Sequence, residues 1–210
     1  MPRRKVSNPL ALAVLACLAE RPMHPYEMST TMRERGKHES IKLNYGSLYS
    51  VVDALVRHQL IEVYETVREG RRPERTVYTI TDPGRIELID WLSELLAVPV
   101  KEYTQFEAAL SLLPVLPPDD AVQVLRERMI KLEVRIAQMQ GEQRAERDIG
   151  LPRLFAIENE YVEALVRAEL EFVSRLVKDI ESGELDGIDL WRSFAVDGDV
   201  AWHPPERPET

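Results

Sequence analysis

Cysteine is almost absent from this chain. With Cys17 alone among 210 residues, no internal disulfide and no cysteine-based zinc cluster can form. Inside the apolar run 10–19 it reads as a small core residue. That run is too short to cross a bilayer, and nothing longer occurs, so no membrane partner is expected. It could pass for a signal-peptide core behind Arg3, Arg4 and Lys5. Glu20-Arg21-Pro22-Met23-His24 offers no small-residue cleavage pattern, however, and a cytoplasmic location is expected. Histidine is sparse too. His24, His38, His58 and His203 form no metal-spaced pair, and neither a nucleophile elbow nor a phosphate-binding glycine loop is present. No enzyme, no metal site and no cofactor are therefore expected.

Positive charge is also scarce overall: the net charge of −9 argues against a uniformly basic nucleic-acid binder. Its distribution argues otherwise. Residues 1–80 hold 13 Lys+Arg against 9 Asp+Glu, while residues 101–210 hold 13 against 23. An acidic half can carry a half that binds DNA.

Three short helices are predicted first. Asn8 or Ser7 caps one that begins at Pro9 and ends near Ala19, before Pro22. A second runs from Pro25 to about Arg35, stopped by Gly36. A third runs from about Asn44 or Tyr45 to His58, with Leu48, Val51, Val52 and Leu55 at the spacing of a half-buried helix. Ile61–Thr66 and Arg75–Ile80 read as strands around a tip that contains Gly70, Pro73 and several arginines. Three helices and a hairpin are the order of a winged helix-turn-helix domain. Thr81 then caps a fourth helix that ends before Pro99.

The second half has another character. After a short helix around Thr104–Leu113, Pro114, Pro117 and Pro118 mark a break. A helix from Asp119 to about Asp148 carries Val122, Leu125, Met129, Leu132, Ile136 and Met139 on a heptad seam. A second long helix carries Leu154, Ile157, Tyr161, Leu165, Ala168, Phe172, Leu176 and Ile180, with Gly183 as its stop. Narrow seams on two charged helices call for a partner surface. Either they form an intramolecular bundle on the first domain or they form a dimer, with Leu125, Met129, Leu132, Ile136, Leu165, Phe172 and Leu176 at the interface. The expected fold is mainly α with a small β-hairpin wing: residues 1–97 form the winged helix-turn-helix domain, 98–183 a long-helix dimerisation domain, and 184–210 an irregular tail. Trp191, Phe194 and Trp202 suggest that parts of this tail pack down.

On the third helix, Gly46, Ser50, Asp53 and Arg57 fall opposite the core stripe, with Ser47 and Tyr49 on its flanks. A recognition helix needs small or hydrogen-bonding residues at its N-terminal end, so that its backbone approaches DNA closely. Gly46 and Ser47 remove bulk there, Tyr45, Ser47 and Tyr49 offer hydroxyls, and Lys42 reaches the DNA backbone just outside the helix. Asp53 opposes intimate contact along the whole face. Arg68, Arg71, Arg72 and Arg75 make a compact positive point on the hairpin, suited to phosphate or minor-groove contact.

Several segments together resemble the PadR family of regulators. They are Pro22-Met23-His24-Pro25-Tyr26-Glu27-Met28, Leu43-Asn44-Tyr45-Gly46-Ser47-Leu48-Tyr49, Leu60-Ile61-Glu62 and Gly70-Arg71-Arg72-Pro73-Glu74-Arg75-Thr76-Val77-Tyr78, followed by Thr81, Gly84, Arg85 and Trp91. The match spans about residues 8–96, and the second half is similar in pattern only. The resemblance implies a homodimer on a palindromic operator, usually a repressor, often relieved by a small aromatic or drug-like ligand. It places Tyr26, Ser47 and Tyr49 near DNA and Arg71 and Arg72 in the wing. Trp91, Tyr103, Phe106 and Tyr161 flank the predicted domain junction and are the candidates for an aromatic effector. A winged-helix protein–protein adaptor that does not bind DNA is the competing reading; the acidic second half allows it, and the basic wing argues against it.

Overall fold

The computed structural model describes residues 6, 8–67 and 75–197. The chain forms two compact units, Met1–Lys101 and Glu102–Thr210. The first is a winged helix. Helix α1 (Pro9–Glu20) starts with Asn8, whose Oδ1 accepts the Leu10 N–H at 2.9 Å, and with a proline where a missing N–H costs nothing. Helix α2 (Pro25–Glu34) and helix α3 (Tyr45–Arg57) follow, then strands β1 (Ile61–Val67) and β2 (Arg75–Ile80) and helix α4 (Asp82–Ala97). The strands pair antiparallel, with Ile61 opposite Ile80 and Val67 opposite Arg75, and a bulge interrupts the register between Val63 and Glu65. Met23 and Tyr78 exchange two backbone hydrogen bonds of 3.0 Å, tying the α1–α2 connection to the sheet.

The apolar stripes explain why these elements meet. Leu10, Val14, Leu15 and Leu18 of α1 form one core with Met28 and Met32 of α2, Leu48, Val52 and Leu55 of α3, Ile61, Ile80 and Trp91. Burial of each large side chain contributes about 1.5–3 kcal/mol. Cys17 belongs to the same core, and burial pushes its thiol pKa up.

In the second unit, helix α5 (Gln105–Ser111) precedes two long helices, α6 (Pro118–Asp148) and α7 (Ile157–Ser182), and helix α8 (Ile188–Asp197). Helices α6 and α7 run antiparallel, cross-linked by Arg126–Glu181 at 2.5 Å, Arg128–Glu169 at 2.6 Å and Gln143–Glu163 at 2.6 Å. Arg126–Glu181 is exposed, and a pair of that kind adds about 0–1 kcal/mol, so it sets register more than stability. The apolar seam carries the stability.

Two expectations for this half change. Leu125, Leu132 and Ile136 of α6 are buried within the chain against Val166, Val173, Val177 and Ile180 of α7, and Met129 and Leu176 are half-buried beside them. The α6 seam therefore packs on α7 of the same chain and is not a free outer face. Of the residues assigned to a dimer interface, only Leu165 and Phe172 are exposed. The second change concerns the segment after Gly183. Residues 188–197 are helical rather than irregular, because Ile188 and Trp191 join the α6–α7 core and the Trp191 Nε1–H donates to the Leu116 carbonyl at 2.7 Å. Trp202 lies outside the described residues. No helix among the described residues is long and apolar enough to cross a membrane.

Candidate nucleic-acid interface

Helix α3 turns its stripe of Leu48, Val51, Val52 and Leu55 into the core and leaves Tyr45, Gly46, Tyr49, Ser50, Asp53 and Arg57 exposed. Ser47 is half-buried, and its N–H is taken by the side chain of the cap residue Asn44 at 2.7 Å. The N–H groups of Tyr45 and Gly46 have no partner among the described residues. Donors at a helix start, with the positive end of the helix dipole behind them, favour an anion such as phosphate. Ser50 bonds back to the Gly46 carbonyl at 3.0 Å, so its hydroxyl oxygen remains available as an acceptor.

Gly46 occupies the second position of α3. A Cβ there would meet nothing closer than the Asn44 Oδ1, at 3.8 Å. Nothing among the described residues therefore requires a glycine at this place. Glycine costs a helix about 1 kcal/mol relative to alanine.

Tyr26 starts the outer face of α2 and is 59% exposed. The preceding turn is held by a reciprocal cap in which the His24 Nδ1 accepts the Tyr26 N–H at 3.0 Å and Glu27 accepts the His24 N–H at 3.0 Å. One residue that sequence reasoning passed over is Arg33. It lies at i+7 from Tyr26, and its guanidinium carbon sits 5.4 Å from the centre of the Tyr45 ring. Helical spacing alone could have flagged it.

Positive charge is available here. Arg21 and Arg35 are paired with Glu27 and Glu20, but Arg33, Lys42, Arg57 and Arg75 have no ion pair among the described residues. Asp53 lies close enough to the Tyr78 hydroxyl to raise its pKa, after burial and together with Tyr49. The tip residues Arg68, Arg71 and Arg72 lie outside the described residues.

Each aromatic candidate lies within its own unit. Trp91 is 4% exposed within the core of the first unit. Its ring is a packing element of that unit, which corrects its reading as a ligand wall. In the second unit, Phe106 edges a cavity of about 320 Å³ between α5 and α6, stacked at 3.7 Å under Arg128. Neither Tyr103 nor Tyr161 lines it, and both are exposed.

The His24 cap has a consequence for pH. Burial, then the charge of Arg75, lowers the His24 pKa below its ordinary 6.5, with Glu27 opposing. The cap needs a bare Nδ1, so the folded state holds the neutral ring and the unfolded state binds more protons. The stability it contributes is complete above 6.5 and is lost as pH falls from there toward the depressed value. Melting temperature measured from about pH 7.5 to about pH 5 is expected to fall less in His24→Asn, which caps without titrating, than in the wild type. Parallel profiles would show that the cap does not titrate.

A sequence model of the transcriptional regulator PadR-like family matches residues 14–90. Over 133 residues the chain is 24% identical to the negative transcriptional regulator PadR of Bacillus subtilis (strain 168), covering 63% of this chain and 71% of the relative. The fold is similar to that of Bacillus subtilis PadR in complex with operator DNA, with a TM-score of 0.56, 20% identity, and 83% and 96% of the two chains covered. It is similar also to Bacillus subtilis PadR in complex with p-coumaric acid, with a TM-score of 0.55, 20% identity, and 86% and 98% covered.

Proposed function

We propose that this chain, a PadR-like transcriptional regulator by its residues 14–90, is a cytoplasmic repressor that binds a palindromic operator as a homodimer. Helix α3 enters the major groove, with Tyr26, Lys42, Tyr45, Gly46, Ser47, Tyr49, Ser50 and Arg57 on or beside the contact face, and Arg71, Arg72 and Arg75 bring the wing to the DNA backbone. The observation that carries this reading is Gly46: an outward-facing glycine in a helix start, not required by any neighbour among the described residues, is explained by close approach of an external surface. The relative that is a negative regulator supports repression, and the operator complex of Bacillus subtilis PadR supports DNA as the partner.

The dimer is proposed to form through the second unit, where Leu165 and Phe172 stay exposed on α7. Release by a small aromatic ligand is a further part of the proposal, supported by that relative's p-coumaric acid complex and by the cavity that Phe106 edges. A flat thermal shift against phenolic and cationic aromatic compounds would remove this part.

The test is binding to DNA upstream of this protein's own gene, titrated with salt. Wild type is expected to bind saturably with a steep salt slope. Arg71→Ala/Arg72→Ala should flatten that slope by about two. Gly46→Ala should leave the fold intact or raise stability by up to about 1 kcal/mol, yet weaken specific binding about 10-fold or more. Equal affinity of Gly46→Ala and wild type would remove the close-approach argument. If no fragment from a genome-wide selection binds, an adaptor that meets a protein partner replaces this reading.

A further inference from the structure

Helix α2 carries a second row of residues besides its core stripe. Tyr26, Thr30 and Arg33 fall at i, i+4 and i+7, away from the buried Met28 and Met32. The Thr30 hydroxyl donates to the Tyr26 carbonyl at 3.1 Å, so the row is pinned at its start. At its end the Arg33 guanidinium lies 5.4 Å from the Tyr45 ring, the first residue of α3. The Arg33 side chain has no hydrogen bond and no ion pair among the described residues, while the nearby Arg35 is held by both oxygens of Glu20. A contact with a ring face directs a guanidinium without consuming its N–H donors. The guanidinium thus lies over the ring of a residue whose own backbone N–H, like that of Gly46, has no partner among the described residues.

We propose that Arg33 is a DNA-backbone anchor, its guanidinium held over the Tyr45 ring and bonded to a phosphate at the start of helix α3. The inference rests on the DNA-binding reading above. A guanidinium presents paired donors that match two phosphate oxygens, and the ring contact biases where that fork sits. Arg33 thereby also positions Tyr45: the same side chain holds the ring on one face and the phosphate at its edge. Lysine would keep the charge and lose the fork.

Full-length wild type, Arg33→Ala and Arg33→Lys are compared on a duplex that the wild type selects from a random-sequence library, and on an unselected duplex. Arg33→Ala is expected to bind both about 10-fold more weakly, the size of one charge-assisted hydrogen bond. Its salt slope should fall by about one. Arg33→Lys should recover the slope but only part of the affinity. Melting temperature should stay close to that of the wild type in both variants. Wild-type affinity and slope in Arg33→Ala would overturn the anchor, as would weaker binding with an unchanged slope, which marks a structural role only. A wild type that selects no duplex overturns the DNA-binding reading and the anchor with it, before any variant is compared.

Discussion

Gly84→Ala is expected to lower the stability of the first unit by more than about 3 kcal/mol, beyond the usual cost of overpacking. A Cβ at this position would lie 2.0 Å from the backbone oxygen of Leu60 and 2.9 Å from a side-chain carbon of Ile80. The oxygen cannot step aside, because it already accepts the Thr81 N–H at 3.1 Å. Gly84 sits in the first turn of α4, where the Thr81 hydroxyl accepts its N–H and donates to the Gln59 carbonyl at 2.8 Å. Gln59 itself is left-handed, with φ 58°. The glycine thus lets a helix start press directly on the turn between α3 and β1.

For a unit of roughly a hundred residues the loss corresponds to a fall in melting temperature of about 12 °C or more. Gly141→Ala is the control. It lies within α6 with nothing within 4 Å of its would-be Cβ, so alanine there should add up to about 1 kcal/mol. Denaturation of both full-length variants reads the difference. A Gly84→Ala protein that melts within a few degrees of wild type would contradict the close approach.

If the proposed dimer forms through α7, the double change Leu165→Glu/Phe172→Glu should yield a monomer while leaving helix content intact. Tyr161, Leu165, Ala168 and Phe172 form an exposed stripe at helical spacing, with Tyr161 64%, Leu165 52% and Phe172 42% exposed. The opposite face of α7 is already spent on α6 through Val166, Val173, Val177 and Ile180. Charges on the stripe therefore disturb no core of this chain, but two copies meeting through it would bury like charges. On the proposed dimeric reading two half-site contacts assist one another, so losing the dimer should lower operator affinity about 100- to 10,000-fold. Sedimentation reads the mass and DNA titration the affinity. A persistent dimer would move the interface elsewhere, for example to the outer face of α6 with Val124, Ile130 and Val134.

Much of the first unit was legible because local rules decide it. Asn8, Asn44 and Thr81 are caps whose side chains take backbone N–H groups at the starts of α1, α3 and α4. The stripe of Leu48, Val51, Val52 and Leu55 follows from 3.6-residue periodicity, which also selected the outward residues of α3. Alternation between turn residues marked β1 and β2. These signals reside in neighbours along the chain and need no tertiary information.

What only the tertiary structure decided is which of several apolar faces meets which. Helix α7 bears two such faces, and periodicity cannot say which one α6 takes; the packing assigned Val166, Val173 and Val177 inward and left Leu165 and Phe172 out. The pairing of Arg33 with Tyr45 and the press of Gly84 on Leu60 are likewise contacts between elements. The helix of residues 188–197 forms for the same reason, since Trp191 is buried and bonded to a carbonyl 75 residues earlier. Local sequence determines where helices start and stop and which residues are apolar. Long-range packing chooses among equally apolar surfaces, because burial energy depends on area and fit and not on position along the chain.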